Sequence, residues 1–367
     1  MPFPRVAEGS LLVYRLFEVA DDIDLAAAER ALAGVAERTT LRAGRAGFVD
    51  WPDRPLTVGL GPRTVALEDG TRLSAAAHVR LFAHGVASVR YDAALPAGAD
   101  AEALATAVRR VAQSAALEAA ARSEVTVACR RIAAALDHPI ESRLFETYAV
   151  VAVRRLADGG SPADLGGEAL ARVLLGEPAG TPLSPQTVED VTRHRFAYTT
   201  EDLVVLDWDT ALVVDAEDDR SVADVLEVAS AQLLELRYYD DLFERELLHV
   251  TGLLSRPRAG LAWLFLRRYG KILRRVQNLV VESAEVFERV DNALRVVGDL
   301  WLARVYRAAV ERFRIPAWQA DVARRQRAAA DVAGLLREEA SSMLGHVLET
   351  SIVGLIVFEI LMAVLHR

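Results

Sequence analysis

The sequence predicts an α+β protein, in which an N-terminal mixed α/β sheet region is followed by a long-helix region and one C-terminal transmembrane helix. Three observations lead to this fold class. Short segments rich in β-branched and aromatic residues alternate with alanine-rich helical patterns as far as residue 214. Beyond residue 219 the strand pattern stops and long helical periodicity takes over. The chain then closes on a long apolar run at residues 343–365.

Residues 1–155 are expected to form an α+β domain. Residues 10–19 predict a strand and residues 22–35 a helix, with Asp21 or Asp22 as its N-cap. Four short strands with turns at Gly61-Pro62 and Asp69-Gly70 are expected next, at residues 56–59, 64–67, 72–82 and 87–91. One or two helices over residues 99–136 and a strand over 141–154 complete the domain. This order predicts a sheet with helices on one face.

Residues 156–220 are rich in glycine and proline and predict a linker with short strands and one short helix. The helix is expected at residues 167–175 and the strands at residues 195–198, 203–208 and 211–214. Residues 221–316 predict a helical domain made of helices 221–254 and 259–314, because Pro257 and Pro316 break the helical pattern.

Residues 317–342 predict a charged stalk helix that leads into a transmembrane anchor at residues 343–366. As a helix, residues 343–365 would be about 35 Å long, enough to cross a hydrocarbon core of about 30 Å. The alternative is a buried core helix, because the most apolar part, residues 352–365, is short and is interrupted by Glu359. Arg15 and Glu18 interrupt the first apolar run, so no export signal is predicted. The expected location is the bacterial inner (cytoplasmic) membrane, with most of the chain in the cytoplasm.

Three residues of the anchor are candidates for intramembrane packing or pairing. Glu359 lies inside the apolar run, where a charge costs about 2.5–3.5 kcal/mol, whereas Glu349 lies near the interface, where the cost falls. Gly354 would permit close helix packing. Small or apolar residues also recur with 4-3 spacing from Ala329 to Leu361, which is the coiled-coil period and predicts self-association. Antiparallel packing against the preceding helix is the alternative interpretation of this spacing.

A basic stretch at residues 256–275 is the candidate site for an anionic partner. Aromatic residues are interleaved with its cations, and residues 251–281 contain no acidic residue. Anionic lipid head groups, RNA or the ribosome would suit such a patch, whereas a solvated helix face is the alternative. The seven basic residues are Arg256, Arg258, Arg267, Arg268, Lys271, Arg274 and Arg275.

Catalytic patterns are missing from the sequence. The seven histidines show no metal-ligand spacing, and neither a phosphate-binding lysine loop nor a Gly-x-Ser-x-Gly elbow is present. The single cysteine, Cys129, excludes an intrachain disulfide and a cysteine-based zinc cluster. No catalytic, cofactor-binding or metal-binding residue is therefore assigned, and no small-molecule substrate or cofactor is expected.

Three stretches are similar to the "required for meiotic nuclear division" domain family. Residues 225–248 precede long helices, and the chain ends on His346-Val-Leu-Glu-Thr-Ser-Ile-Val-Gly-Leu-Ile-Val-Phe-Glu359. Residues 82–91 resemble that family's early Tyr-Gly-Val-Val-Val-Phe strand, with His84 in place of the tyrosine. The resemblance runs from about residue 75 to the end. It implies a membrane-tethered, non-catalytic protein of bacterial type; mitochondrial members are inner-membrane proteins that support organellar translation.

The sequence thus predicts a membrane-tethered, non-catalytic scaffold that faces the cytoplasm and forms homo-oligomers. The alternative is a protein that binds an anionic partner through residues 256–275. A soluble enzyme built from scattered acidic residues is the third and least favoured hypothesis.

Overall fold

The computed structural model describes residues 3–38, 54–217, 219–254, 274, 277, 279 and 300–365. The chain divides into two compact units. The first unit comprises Met1–Tyr238 and Val290–Pro316, and the second comprises Tyr239–Arg289 and Ala317–Arg367.

The described residues of the first unit form one mixed sheet of nine strands. The strands are β1 (Val6–Glu18), β3 (Ala36–Arg38), β4 (Leu56–Ala66), β5 (Arg72–Leu81), β6 (Val86–Ala94), β8 (Phe145–Leu156), β9 (His194–Phe196), β10 (Leu203–Leu206) and β11 (Thr210–Val214). Their order across the sheet is β3-β4-β5-β6-β1-β8-β11-β10-β9. Neighbours are antiparallel except β11, which runs parallel to β8. Two further short strands, β2 (Ala20–Ile23) and β7 (Leu136–Pro139), form a separate antiparallel pair.

Eight α-helices accompany the strands in the described part of the chain. They are α1 (Leu25–Ala31), α2 (Ala101–Ala112), α3 (Ala115–Arg131), α4 (Gly167–Leu175), α5 (Pro185–Val191), α6 (Ser221–Leu254), α7 (Leu300–Arg312) and α8 (Ile315–Leu365). Local chemistry fixes several of their starts, because the side chains of Asp24, Asp100, Ser114 and Ser184 accept hydrogen bonds from backbone N–H groups of the first turn.

Helices cover both faces of the sheet, so the predicted arrangement with helices on one face is wrong. On one face, odd-numbered residues of β1 such as Leu11 and Val13 share a core with Leu104 of α2 and Leu117 of α3. On the other face, the ring of Tyr148 in β8 contacts Phe313, which follows α7, at 5.3 Å between centroids. β1 is apolar on both sides because it lies in the middle of three layers.

Strand β4 differs from its prediction at Gly61-Pro62. The sequence predicts a turn there, between two short strands, yet a single strand runs through it and pairs with β5 along its whole length. The ladder shifts register between Gly59 and Gly61, and Gly61 has φ +75°. A glycine that accepts positive φ lets the strand take up a bulge instead of turning.

The predicted transmembrane helix at residues 343–366 is wrong. These residues form the last part of α8, a helix of 51 residues. Within the described ranges, no helix includes a segment with the length and apolar character that a bilayer requires. The physical reason lies in the carboxylates of Glu349 and Glu359, which leave an apolar run shorter than the roughly 18 residues that a span needs. The predicted inner-membrane location is therefore wrong as well, whereas the lipid bilayer as a partner stays a prediction.

Candidate functional site

The C-terminal part of α8 carries large apolar side chains that are exposed. Their exposed fractions lie between 42% and 67%, and we call them the apolar tail surface. Successive residues of a helix are about 100° apart, so these positions are spread around the whole circumference of α8. The surface consists of Leu348, Ile352, Val353, Leu355, Ile356, Val357, Phe358, Ile360, Leu361 and Met362.

The three residues predicted for intramembrane packing or pairing lie in this segment. Glu349, Gly354 and Glu359 are all exposed helical residues of α8. A Cβ atom built on Gly354 would meet no atom within 4 Å, so the helix has room for a close neighbour at this position. The role of these three residues in packing or pairing stays a prediction.

The first residues of the predicted coiled-coil spacing pack against another helix of the same chain. Ala329 and Ala333 are buried, and one turn earlier Arg325 forms ion pairs with α6 at 2.7 Å to Asp240 and 3.1 Å to Glu244. This part of α8 thus packs against a helix of the same chain. Val357 and Leu361, at the other end of the same spacing, are exposed.

The basic stretch at residues 256–275 lies outside the described residues, with one exception. Arg274 is described, as an exposed helical residue. The structure therefore does not bring these seven side chains together or separate them, and their role as an anion-binding site stays a prediction.

A cluster of four charged side chains, three of them buried and one partly buried, lies between the sheet and α6, and sequence reasoning missed it. Arg80 of β5 contacts two carboxylates of α6, at 2.8 Å to Asp224 Oδ1 and 2.5 Å to Glu227 Oε2. Arg90 of β6 lies 3.7 Å from the same oxygen of Asp224. We call these four residues the buried ion cluster. Two cations and two anions balance, so the cluster links β5 and β6 to α6 without a net charge.

Burial and ion pairing shift the pKa values of the buried ion cluster in opposite directions. Burial acts to lower the pKa of Arg80, but Asp224 and Glu227 raise it above its ordinary value. Burial raises the pKa of Glu227, against the effect of Arg80 and Arg90. A cluster that is neutralised internally and enclosed in this way fixes the position of α6 on the sheet. The signal was present in the sequence, since Asp224 and Glu227 interrupt an otherwise apolar helical stretch three residues apart.

Another arginine, Arg312, joins α7 to the turn between β10 and β11. Arg312 donates to Asp207, at 2.7 Å from its Nε, and to Asp190 Oδ2, at 3.1 Å from both Nη atoms. The backbone carbonyl of Asp207 also accepts a hydrogen bond of 3.2 Å from the hydroxyl of Tyr148. Burial, and then repulsion from Asp207, raise the pKa of neighbouring Asp209. Asp207 and Asp209 thus both lie in the tight turn that joins β10 to β11.

Histidine, cysteine, aspartate and glutamate side chains are the usual metal ligands in proteins. In the described ranges, no group of three or more of them is arranged to hold a metal ion.

Fold and geometry together define the class of protein: an α/β protein with a large mixed sheet between helical layers and an apolar helical C-terminal segment. A family model described as "Uncharacterized protein MJ0711, N-terminal domain" matches residues 8–220, which is more than half of the chain, and the chain belongs to this family. The matched range holds nearly all of the sheet and helices α1–α5, and it ends just before α6.

One curated relative is an archaeal protein, Uncharacterized protein MJ0711 of Methanocaldococcus jannaschii. It is 26% identical over 179 residues, which are 48% of this chain and 53% of the relative. The chain thus spans about half the length of the curated relative that it matches. No solved structure matches the chain significantly.

The resemblance to the "required for meiotic nuclear division" family is wrong, because the chain belongs to a different family. The prediction of a bacterial, tail-anchored protein is wrong too, since the relative is archaeal and no membrane-spanning helix is found among the described residues. The resemblance rested on apolar runs and scattered carboxylates, which are patterns that unrelated helices share.

Proposed function

We propose that this protein is a non-catalytic scaffold that assembles with copies of itself through the apolar tail surface of α8. The exposure of ten large apolar side chains at one end of one helix carries the proposal. Contiguous apolar patches of this kind mark interaction sites, because their exposure to water is unfavourable.

A second copy of the chain is the partner that fits this surface. Glu349 and Glu359 are the two charged residues between Leu348 and Met362, so the segment offers little charge pattern that would select a different protein, whereas an identical helix is complementary to it in polarity. The 4-3 spacing that begins at Ala329 continues through Gly354, Val357 and Leu361, which is the seam that identical helices share. A helix that is apolar all round needs neighbours on several sides, so we expect three or more copies in the assembly.

The test is the molar mass of the full chain in solution, measured by light scattering during size-exclusion chromatography. We expect a multiple of the 40.0 kDa chain mass, and a monomer for a chain that ends at Ala340. The double variant I356E/F358E should weaken association at least tenfold, because burying each apolar side chain contributes about 1.5–3 kcal/mol.

The matched control is L335E, which alters an equally exposed leucine of the same helix outside the apolar tail surface. It should leave the assembly unchanged. A full chain that is monomeric at tens of micromolar, or an assembly that survives I356E/F358E, would contradict the proposal.

A second candidate function is the binding of RNA phosphate through residues 256–275, favoured by seven cations without an intervening acid. Charge reversal at Arg267, Arg268, Arg274 and Arg275 should then abolish binding of single-stranded RNA at low salt. Binding that is unaffected by this variant would remove the idea. Loss of binding to acidic lipid vesicles instead of RNA would assign the patch to lipid head groups.

A further inference from the structure

A groove in the first unit lies between α3 and residues 136–143. Its volume is about 790 Å³, within the range of small-molecule sites in proteins. Along α3 it extends from Glu118 to Arg130, which is about 18 Å of helix. The groove is independent of the apolar tail surface on α8, which belongs to the second unit.

Apolar side chains form the floor of the groove. Val125, Leu136 and Ile140 line it together with Phe17, whose ring stacks on Phe145 at 6.3 Å. Phe17 and Val125 are also part of the core of this face, so the floor is rigid. A floor of this kind accepts an aliphatic or aromatic body by removing its surface from water.

Arg122 joins the two walls of the groove. Its guanidinium lies 4.7 Å from the centroid of the Phe17 ring. Its Nη1 donates to the carbonyl oxygen of Ser142 and its Nη2 to Glu118 Oε1, both at 3.1 Å. Arg122 and Glu118 therefore neutralise each other and hold residues 140–143 in place against α3.

Two further arginines at the groove have positive charges that no described carboxylate neutralises. Arg130 and Arg143 are exposed, and neither forms an ion pair with any residue that the structure describes. Of the remaining carboxylates that line the groove, Glu18 is buried and Glu141 is exposed on the rim. The rim thus offers two guanidinium groups against one exposed carboxylate, and guanidinium binds carboxylate and phosphate oxygens in a bidentate manner.

We propose that this groove binds a small amphipathic anion, whose carboxylate or phosphate head contacts Arg130 and Arg143 and whose apolar body lies on Phe17, Val125, Leu136 and Ile140. The combination of an apolar floor and uncommitted guanidinium groups at its rim is the complement of such a molecule. Neither inorganic anions nor neutral hydrocarbons would satisfy both parts.

Cys129, the only cysteine in the chain, lines the same groove and serves as a reporter. Burial raises the pKa of its thiol to about 11, so alkylation is measured near pH 9, where the thiolate fraction suffices for reaction. The experiment follows the rate of Cys129 alkylation by a maleimide in the full chain, with decanoate or decyl phosphate below their micellar concentrations. Decyltrimethylammonium, with the same tail and the opposite charge, is the control ligand.

We expect one or both anions to slow alkylation roughly tenfold at about ten times their Kd, and the cation to leave the rate unchanged. The comparison of decanoate with decyl phosphate shows which head group is preferred. R130E/R143E should abolish the protection, whereas R72E/R131E, at two exposed arginines that do not line the groove, should retain it. E141Q should tighten binding, because it removes the opposing carboxylate.

Calorimetric titration with decanoate supplies a readout that does not depend on the thiol, and circular dichroism checks that each variant is folded. Absence of protection and of binding heat with both anions would overturn the proposal. Equal protection by decyltrimethylammonium, or full protection in folded R130E/R143E, would overturn it as well.

Discussion

At the scale of single residues, the buried ion cluster shows how burial changes the effect of a charge. Arg80 and Glu227 are almost completely buried, and their two charges lie 2.5 Å apart. An ion pair in this position adds little net stability compared with apolar residues, but either partner alone is very unfavourable. The cluster therefore fixes where α6 lies on the sheet more than it stabilises the fold.

Replacement of Arg80 by methionine should lower the free energy of unfolding by about 3–5 kcal/mol, because Asp224 and Glu227 lose their main partner while they stay buried. Urea denaturation followed by circular dichroism measures this change. R72M, at an exposed residue of the same strand, should change stability by less than about 0.5 kcal/mol. Adding D224N and E227Q to R80M should recover part of the loss, and no recovery would argue against a charge effect.

The raised pKa of Asp209 predicts that the stability of the fold depends on pH. Because burial and Asp207 raise its pKa in the folded protein, the folded state binds this proton more tightly than the unfolded chain does. The contribution of Asp209 to stability therefore rises as the pH falls from neutrality towards its ordinary pKa of 3.8. D209N should be more stable than the natural chain at pH 7, and this difference should shrink as the pH falls towards 4.

Thermal denaturation of both chains at pH 7 and pH 4 tests this expectation. D207N is the contrasting variant, since Asp207 is the partner of Arg312 and its loss should destabilise the protein at pH 7. A D209N chain that is less stable than the natural one at pH 7 would contradict a raised pKa of Asp209 in the folded protein.

At the scale of elements, the turn between β5 and β6 depends on one glycine. Gly85 has φ +82°, and a Cβ atom there would overlap the carbonyl oxygen of Ala20. Its own carbonyl accepts a hydrogen bond of 2.9 Å from Val19 N, which ties the turn to the end of β1. Residues 82–91 formed part of the mistaken family resemblance. The geometry of the turn by itself explains why a glycine is needed at position 85.

G85A should lower the free energy of unfolding by at least about 2 kcal/mol more than G70A does. Gly70 has a similar φ of +79°, but a Cβ atom there would meet nothing within 4 Å. The pair therefore separates steric overlap from the backbone strain that both variants share. Equal losses in chemical denaturation would show that the overlap relaxes at no cost.

At the scale of the whole molecule, the proposed assembly should respond to temperature as apolar association does. Burial of apolar surface weakens on cooling, because its driving force near 25 °C is mainly entropic. Sedimentation at 5 °C should therefore show a larger monomer fraction than at 25 °C, and addition of sulfate should reverse the change. An assembly that strengthens on cooling and dissociates at high salt would indicate that charges hold it together.

Local sequence patterns were sufficient for most single elements. Helices α4 and α6 begin and end where the periodicity predicts, and β5, β8 and β10 lie close to their predicted positions. These features depend on neighbours in the chain, on alternation in strands and on breaks at glycine and proline, all of which a single sequence carries. The site prediction was much poorer, since neither the buried ion cluster nor the groove on α3 was foreseen.

The sequence by itself determined the presence of a sheet, the long helices that follow it and the apolar end of α8. Only the tertiary structure decided that helices cover both faces and that β11 pairs in parallel with β8, because both follow from contacts between residues far apart in the chain. The same holds for Arg80, whose partners lie more than 140 positions away. From sequence alone, a charged residue in a strand is predicted to be exposed to solvent. Only the packing of a distant helix shows that Arg80 is buried against opposite charges.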